Sequence, residues 1–225
     1  MSEHLKVTKR FVNIENSYTS HMDNASFRKE LLEAVRRTTK DLTEISKELL
    51  TQGKEDDDNY FPYEAKYKAH LYHYLLACGV SHQELAFEWM QDNSKTKHDH
   101  FDLWYRDLQK KYNTLIEVKY VSGLNRSKSD IRKPDYRTYK DGKLASGIIY
   151  DVIKLHNACK GNKNGNEYHG IKLMYLAEPK IKDNLELSNI SHSIMKQVAK
   201  EANNRPENVE LLWTSKKRTE YISFE

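Results

Sequence analysis

The sequence predicts an α/β chain: a central sheet flanked by helices and preceded by an N-terminal helical arm. Three observations point there. Residues 101–105 and 114–120 alternate apolar and polar side chains with the period of a strand, and the polar run from Asp107 to Asn113 reads as the link of an antiparallel hairpin. Apolar residues at helical spacing precede the hairpin and return after it. A further strand-like run, His169 to Ala177, follows the second of those helices. With 225 residues, 38% hydrophobic and 31% charged, the chain can bury one substantial core.

In chain order, residues 1–24 carry no clear period. A helix is predicted from Ala25, capped by Asn24 or Ser26, with Leu31, Val35, Thr38, Leu42, Ile45 and Leu49 as a heptad-like stripe. Such a stripe either docks on the chain's own domain, the reading favoured here, or meets a partner helix. Residues 52–59, with Asp56, Asp57 and Asp58, read as a solvated acidic linker. The boundary falls there: an arm with its linker over 1–58 and the main domain over 59–225. Pro62 opens a second helix, where its missing N–H costs least, and Gly79 ends it. Its stripe is Tyr67, Leu71, Tyr74 or Leu75, and Cys78. Gln83 to Met90 reads as the first strand. His98-Asp99-His100 reads as a strand entrance rather than a zinc site, because a closed zinc site needs four ligands and the sequence offers no partner cluster.

On the second hairpin strand Leu115, Glu117 and Lys119 share one face; Ile116, Val118 and Tyr120 take the other, with Ile116 and Val118 as the buried side. A carboxylate and an ammonium therefore sit side by side, and Asp102 across the pair brings a second carboxylate. Such a pair suits Mg2+, which takes oxygen ligands and keeps several waters. These residues resemble the PD-(D/E)xK nuclease superfamily, the restriction-endonuclease-like fold. Asp102 matches the first acid and Glu117-Val118-Lys119 the E-x-K, while Phe101 stands where the family often has proline. The order of elements matches too, over roughly residues 60 to 178.

The resemblance implies a restriction-endonuclease-like core, a central mixed sheet between helices. It implies a metal-dependent DNA nuclease, of restriction type or a related defence or phage enzyme. It implies further that Asp102, Glu117 and the Val118 carbonyl hold Mg2+, with Mn2+ as a substitute, and that Lys119 acts on the attacking water or the phosphate. In this family a helix before the first strand often contributes a glutamate, and Glu64 matches. An acid at the positive end of the helix dipole explains Glu64 equally well. Glu84 and Glu88 are the other candidates for a third carboxylate.

Tyr120 to Lys143 contains no predicted element. It carries Arg126, Lys128, Arg132, Lys133, Arg137, Lys140 and Lys143 against Asp130, Asp135 and Asp141, an excess that equals the +4 of the whole chain. Tyr136 and Tyr139 lie among the basic residues. Lysine and arginine give salt-dependent phosphate contacts and tyrosines stack on bases, so this stretch is the predicted nucleic-acid-binding loop. A charge-rich solvated loop is the alternative. Leu144 to Cys159 then reads as a helix, 160–166 as a turn and His169 to Ala177 as a covered strand. A last helix, capped by Ser188 or Ser191, uses Ile190, Ile194, Met195 and Val198, and strands Val209–Thr214 and Glu220–Phe224 close the chain.

No apolar run approaches a membrane span, and the first residues do not form a secretory signal, so a cytoplasmic protein is expected. Cys78 and Cys159 are then expected to be buried thiols in a reducing compartment. No phosphate-cradling glycine loop is present, so no nucleotide cofactor is expected. The expected partner is DNA, and cutting both strands would suit a homodimer. Two other classes stay open: a catalytically inactive nucleic-acid-binding module on the same fold, and an interaction protein that uses its N-terminal stripe.

Overall fold

The computed structural model describes residues 24–51, 64–91, 99–107, 112–121, 138–140, 143–160, 166–176, 187–203, 208–215 and 219–222. Helices α1 (Asn24–Thr51) and α2 (Glu64–Ala77) come first, then strands β1 (Leu85–Gln91), β2 (Asp99–Asp107) and β3 (Tyr112–Tyr120). Two short strands, β4 (Thr138–Lys140) and β5 (Lys143–Ser146), lead into α3 (Ile148–Cys159). Strand β6 (Glu167–Leu176), helix α4 (Leu187–Ala202) and strands β7 (Val209–Ser215) and β8 (Thr219–Ile222) complete the order.

The result is an α/β fold with a six-stranded mixed sheet, ordered β1-β2-β3-β6-β7-β8. β1, β2 and β3 form an antiparallel meander. β6 lies parallel to both β3 and β7, and β8 returns antiparallel. Parallel central strands are covered on both faces, which explains why β3 and β6 are buried along most of their lengths. The Leu115 side of β3 is therefore as dry as the Ile116 and Val118 side, where the sequence predicted a single buried face.

Two apolar layers flank the sheet. Ile148, Val152, Leu155, Ile194 and Val198 from α3 and α4 pack with Phe101, Leu115, Met174 and Trp213. Phe27, Leu31, Val35 and Leu42 from α1 and Tyr67, Leu71 and Leu75 from α2 pack with Leu103, Ile116, Val118, Leu173 and Tyr175. The stripe of α1 thus faces the chain's own sheet. Neutral hydroxyls tie that layer together: Thr39 Oγ1 lies 3.1 Å from Tyr67 Oη and 2.9 Å from Thr214 Oγ1, which is 3.1 Å from Thr219 Oγ1.

Four expectations are corrected. The stretch ahead of the third helix is not featureless, because β4 and β5 pair as an antiparallel hairpin. That hairpin takes residues 143–146, so α3 begins at Ile148 rather than Leu144. Gly147, with φ 99°, makes the change of direction that an L side chain would resist. Neither Ser188 nor Ser191 precedes α4, which starts at Leu187; Ser191 is buried and accepts a hydrogen bond from Trp213 Nε1 at 2.7 Å. Cys78 and Cys159 form no disulfide; Cys159 is buried, whereas Cys78, also expected to be buried, is only half-buried. Most of the predicted binding loop, including Arg126, Lys128, Arg132, Lys133, Tyr136 and Arg137, lies outside the described residues, as does the acidic linker. Tyr139 and Lys140 fall on β4.

Candidate metal and phosphodiester site

The sheet opens around Asp102. Its pairing with β1 runs through Phe87↔Leu103 and resumes at Trp89↔Phe101, leaving out Glu88 opposite Asp102. Glu88 has φ 51°, a left-handed conformation that a glutamate adopts only when its surroundings hold it there. On the other side the pairing of β2 with β3 reaches Leu103↔Ile116. One step further, the Asp102 side chain accepts the Val118 N–H on Oδ2 at 2.7 Å. A carboxylate has replaced a rung of the ladder, fixing its own position relative to β3.

The other oxygen of Asp102 accepts a hydrogen bond from Lys68 Nζ at 2.8 Å, and the same ammonium lies 3.1 Å from Glu88 Oε1. Burial works against a charged Lys68, but Asp102 and Glu88 outweigh it and raise its pKa.

Glu117 lies beside Lys172 in the β3–β6 register, on the face covered by α3. Its Oε1 accepts a hydrogen bond from Lys154 of α3. Burial pushes its carboxyl up to about 7; Lys172 and Lys154 oppose that, while Asp102 and Asp151 add to it. Lys172, fully buried, donates to Asp151 Oδ2 at 2.6 Å. Desolvation lowers the pKa of Lys172, yet Asp151 and Glu117 more than offset this and hold it protonated.

The structure therefore puts Asp102 and Glu117 on adjacent paired strands, close enough for Asp102 to raise the Glu117 carboxyl. Lys119 is placed differently: its Nζ lies 3.5 Å from Glu64 Oε2, and both side chains are about a third exposed. The same Glu64 oxygen lies 3.4 Å from the Tyr120 backbone N–H, so the first turn of α2 is tied to the end of β3. Of the other candidates for a third carboxylate, Glu88 holds Lys68, and Glu84 is buried in the turn before β1.

Sequence reasoning missed Lys68, Asp151, Lys154 and Lys172. Signals for them existed. Lys68 follows Glu64 by one helical turn, Asp151 and Lys154 interrupt the apolar face of α3, and Lys172 sits inside an apolar covered strand.

Among the described residues, no group of three or more His, Cys, Asp and Glu side chains is spaced to hold a metal ion. Mg2+ needs only one or two carboxylates, completing its shell with water. Asp102 and Glu117 are the carboxylates that could supply these, although Lys68 and Lys154 already pair with them and a cation would have to compete with both.

No protein-family model matches the chain, and no curated protein sequence does. Among solved structures it is similar to SfsA of Pyrococcus furiosus in complex with Ca2+, with 10% sequence identity and a TM-score of 0.33. The match covers 70% of this chain and 62% of the SfsA chain, so it spans less than two thirds of that protein. So loose a likeness carries nothing about chemistry, which rests on the residues of the site.

Proposed function

We propose that this chain is a Mg2+-dependent nuclease that hydrolyses phosphodiester bonds in DNA, of restriction type or a related defence or phage enzyme. One observation carries the reading: Asp102 and Glu117, from adjacent strands, share a buried cluster where the sheet ladder opens. Asp102, Glu117 and the Val118 carbonyl would hold the cation, with Mn2+ as a substitute. Once bound, the cation would lower the pKa of a coordinated water and offset charge building on the phosphate. Lys119, paired with Glu64, would orient an attacking water; the oxygen of that water bonds to phosphorus as the bond to the leaving oxygen breaks, one water proton passing to solvent and the leaving oxygen taking one up. The basic stretch from Arg126 to Lys140 holds the DNA backbone. We place the protein in the cytoplasm, acting as a homodimer when both strands are cut.

A second reading, a binding module without catalysis, is favoured by a specific observation. Each acid of the cluster already has an ammonium partner: Asp102 with Lys68, Glu117 with Lys154, Asp151 with Lys172. Supercoiled plasmid incubated with the purified protein and Mg2+ separates the two. The nuclease cuts, and Glu117→Ala or EDTA lowers cutting by about 100-fold or more. A retarded band without cutting, unchanged in Glu117→Ala, would leave the binding module.

A further inference from the structure

Lys154 occupies a place that the E-x-K spacing does not anticipate. Rising from α3, it lies over the Phe101 ring, with Nζ 5.0 Å from the centroid. It donates to the His100 carbonyl at 2.6 Å and to Glu117 Oε1. One ammonium thus touches both the strand leading into Asp102 and the carboxylate of Glu117. Lys119 reaches Glu64 instead, and its side chain is 29% exposed against 14% for Lys154. An ammonium has three N–H donors. His100 and Glu117 take two among the described residues, and the side chain keeps 14% of its surface exposed.

Charge balance says what Lys154 would accept. Asp102, Glu88, Glu117 and Asp151 face Lys68, Lys154 and Lys172, four acids against three ammonium groups, so the cluster carries one net negative charge. A divalent cation on Asp102 and Glu117 would leave it positive, and an anion beside Lys154 would restore the balance. A lysine ammonium binds phosphate oxygens well as a compact point charge. We propose that Lys154 is a second lysine of the site, the one that contacts a non-bridging phosphate oxygen of the nucleic-acid backbone. This rests on the nuclease reading above.

The test separates binding from cutting. Lys154→Met keeps the stem over Phe101 without the charge; Lys154→Gln, which retains a donor for the His100 carbonyl, replaces it if the methionine variant does not fold. Lys154→Arg restores the charge. Binding of a short labelled DNA duplex is followed against salt with Ca2+ present, and plasmid cutting with Mg2+. The exposed Lys196 of α4, changed to Ala, serves as the control. In the neutral variant the salt slope of binding falls by about one, cutting falls about 100-fold, and the melting rise on adding Ca2+ is kept or enlarged because Glu117 has lost a competing cation. The arginine variant recovers the slope.

Wild-type cutting with a neutral variant that cuts equally well and keeps its slope would overturn the role of Lys154 and leave the nuclease reading standing. A neutral variant that loses the Ca2+ response together with cutting would show that Lys154 only supports the fold of the site, and would overturn the proposal too. A wild type that neither binds nor cuts would remove both.

Discussion

The two faces of the central sheet bury polar groups in opposite ways. Under α1 and α2 the most deeply buried ones are neutral, Thr39, Tyr67 and Thr214 handing hydrogen bonds along a chain of hydroxyls, while the ion pair that α2 brings, Lys68 with Asp102, stays 13% and 12% exposed. Under α3 the buried polar groups are ionic: Glu117 and Lys172 lie side by side, with Asp151 and Lys154 above them. Hydroxyls that satisfy one another cost little to bury. An ion pair must first recover several kcal/mol of desolvation per ion, and apolar side chains of similar volume would hold a helix at least as well. The hydroxyl chain is what stability asks for. The ions lie beside the place where the ladder opens, and it is there that the proposed chemistry would use them.

The sharpest way to break this contrast is Lys172→Met. Stranding Asp151 and Glu117 without it is expected to cost about 3–5 kcal/mol in urea unfolding. Adding Asp151→Leu should recover most of that loss, because the pair contributes little net stability when removed together. A single-variant cost under about 1 kcal/mol would place the charged face on the same footing as the neutral one.

Thr39→Val gives a smaller effect. It removes hydrogen bonds to Tyr67 and Thr214 while keeping the shape of the side chain, and about 1–3 kcal/mol is expected in the same unfolding assay. A cost equal to that of Lys172→Met would mean that the hydroxyl chain is as critical as the ions.

The smallest effect concerns charges at the rim of the α1 layer. Glu210 Oε2 lies 2.6 Å from Arg28 and 3.1 Å from His169. Burial raises its pKa, but the contacts with His169 and Arg28 outweigh this and hold the carboxyl below its ordinary value. The stability it contributes is therefore present above the ordinary carboxylate pKa and is lost as the pH falls through the depressed one. Melting temperatures of the wild type and Glu210→Gln should differ by a few degrees at most near neutral pH and converge in acid. A gap that widens in acid would contradict this linkage.

The fold was legible because its signals are local. Alternation along 101–105 and 114–120, with helical spacing on either side, needs no knowledge of the partner element. The E-x-K pattern was legible for the same reason, since Glu117 and Lys119 lie two apart on one strand. The β4–β5 hairpin was not, because Lys143 to Ser146 is too short to alternate and Leu144 continues the apolar spacing of α3; Gly147 was the signal to stop. The lysine partners were harder still. Which ammonium meets which carboxylate depends on which helix lies over which strand, and Lys68, Lys154 and Asp151 all arrive from helices. Lys172 gave the plainest signal of the four, as a charge in the middle of a covered strand.

The strand order also bears on how the cluster forms in time. The β1–β2–β3 meander joins segments that are neighbours in sequence, whereas β3 meets β6 only after the stretch holding β4, β5 and α3 has closed between them. Closing that longer loop costs more chain entropy, so the meander is expected to form first. Asp102 and Glu117 are then in place while still hydrated, and α3 and β6 arrive later carrying Lys154 and Lys172. Each carboxylate gives up its water as its ammonium docks, and no bare charge has to cross the folding barrier.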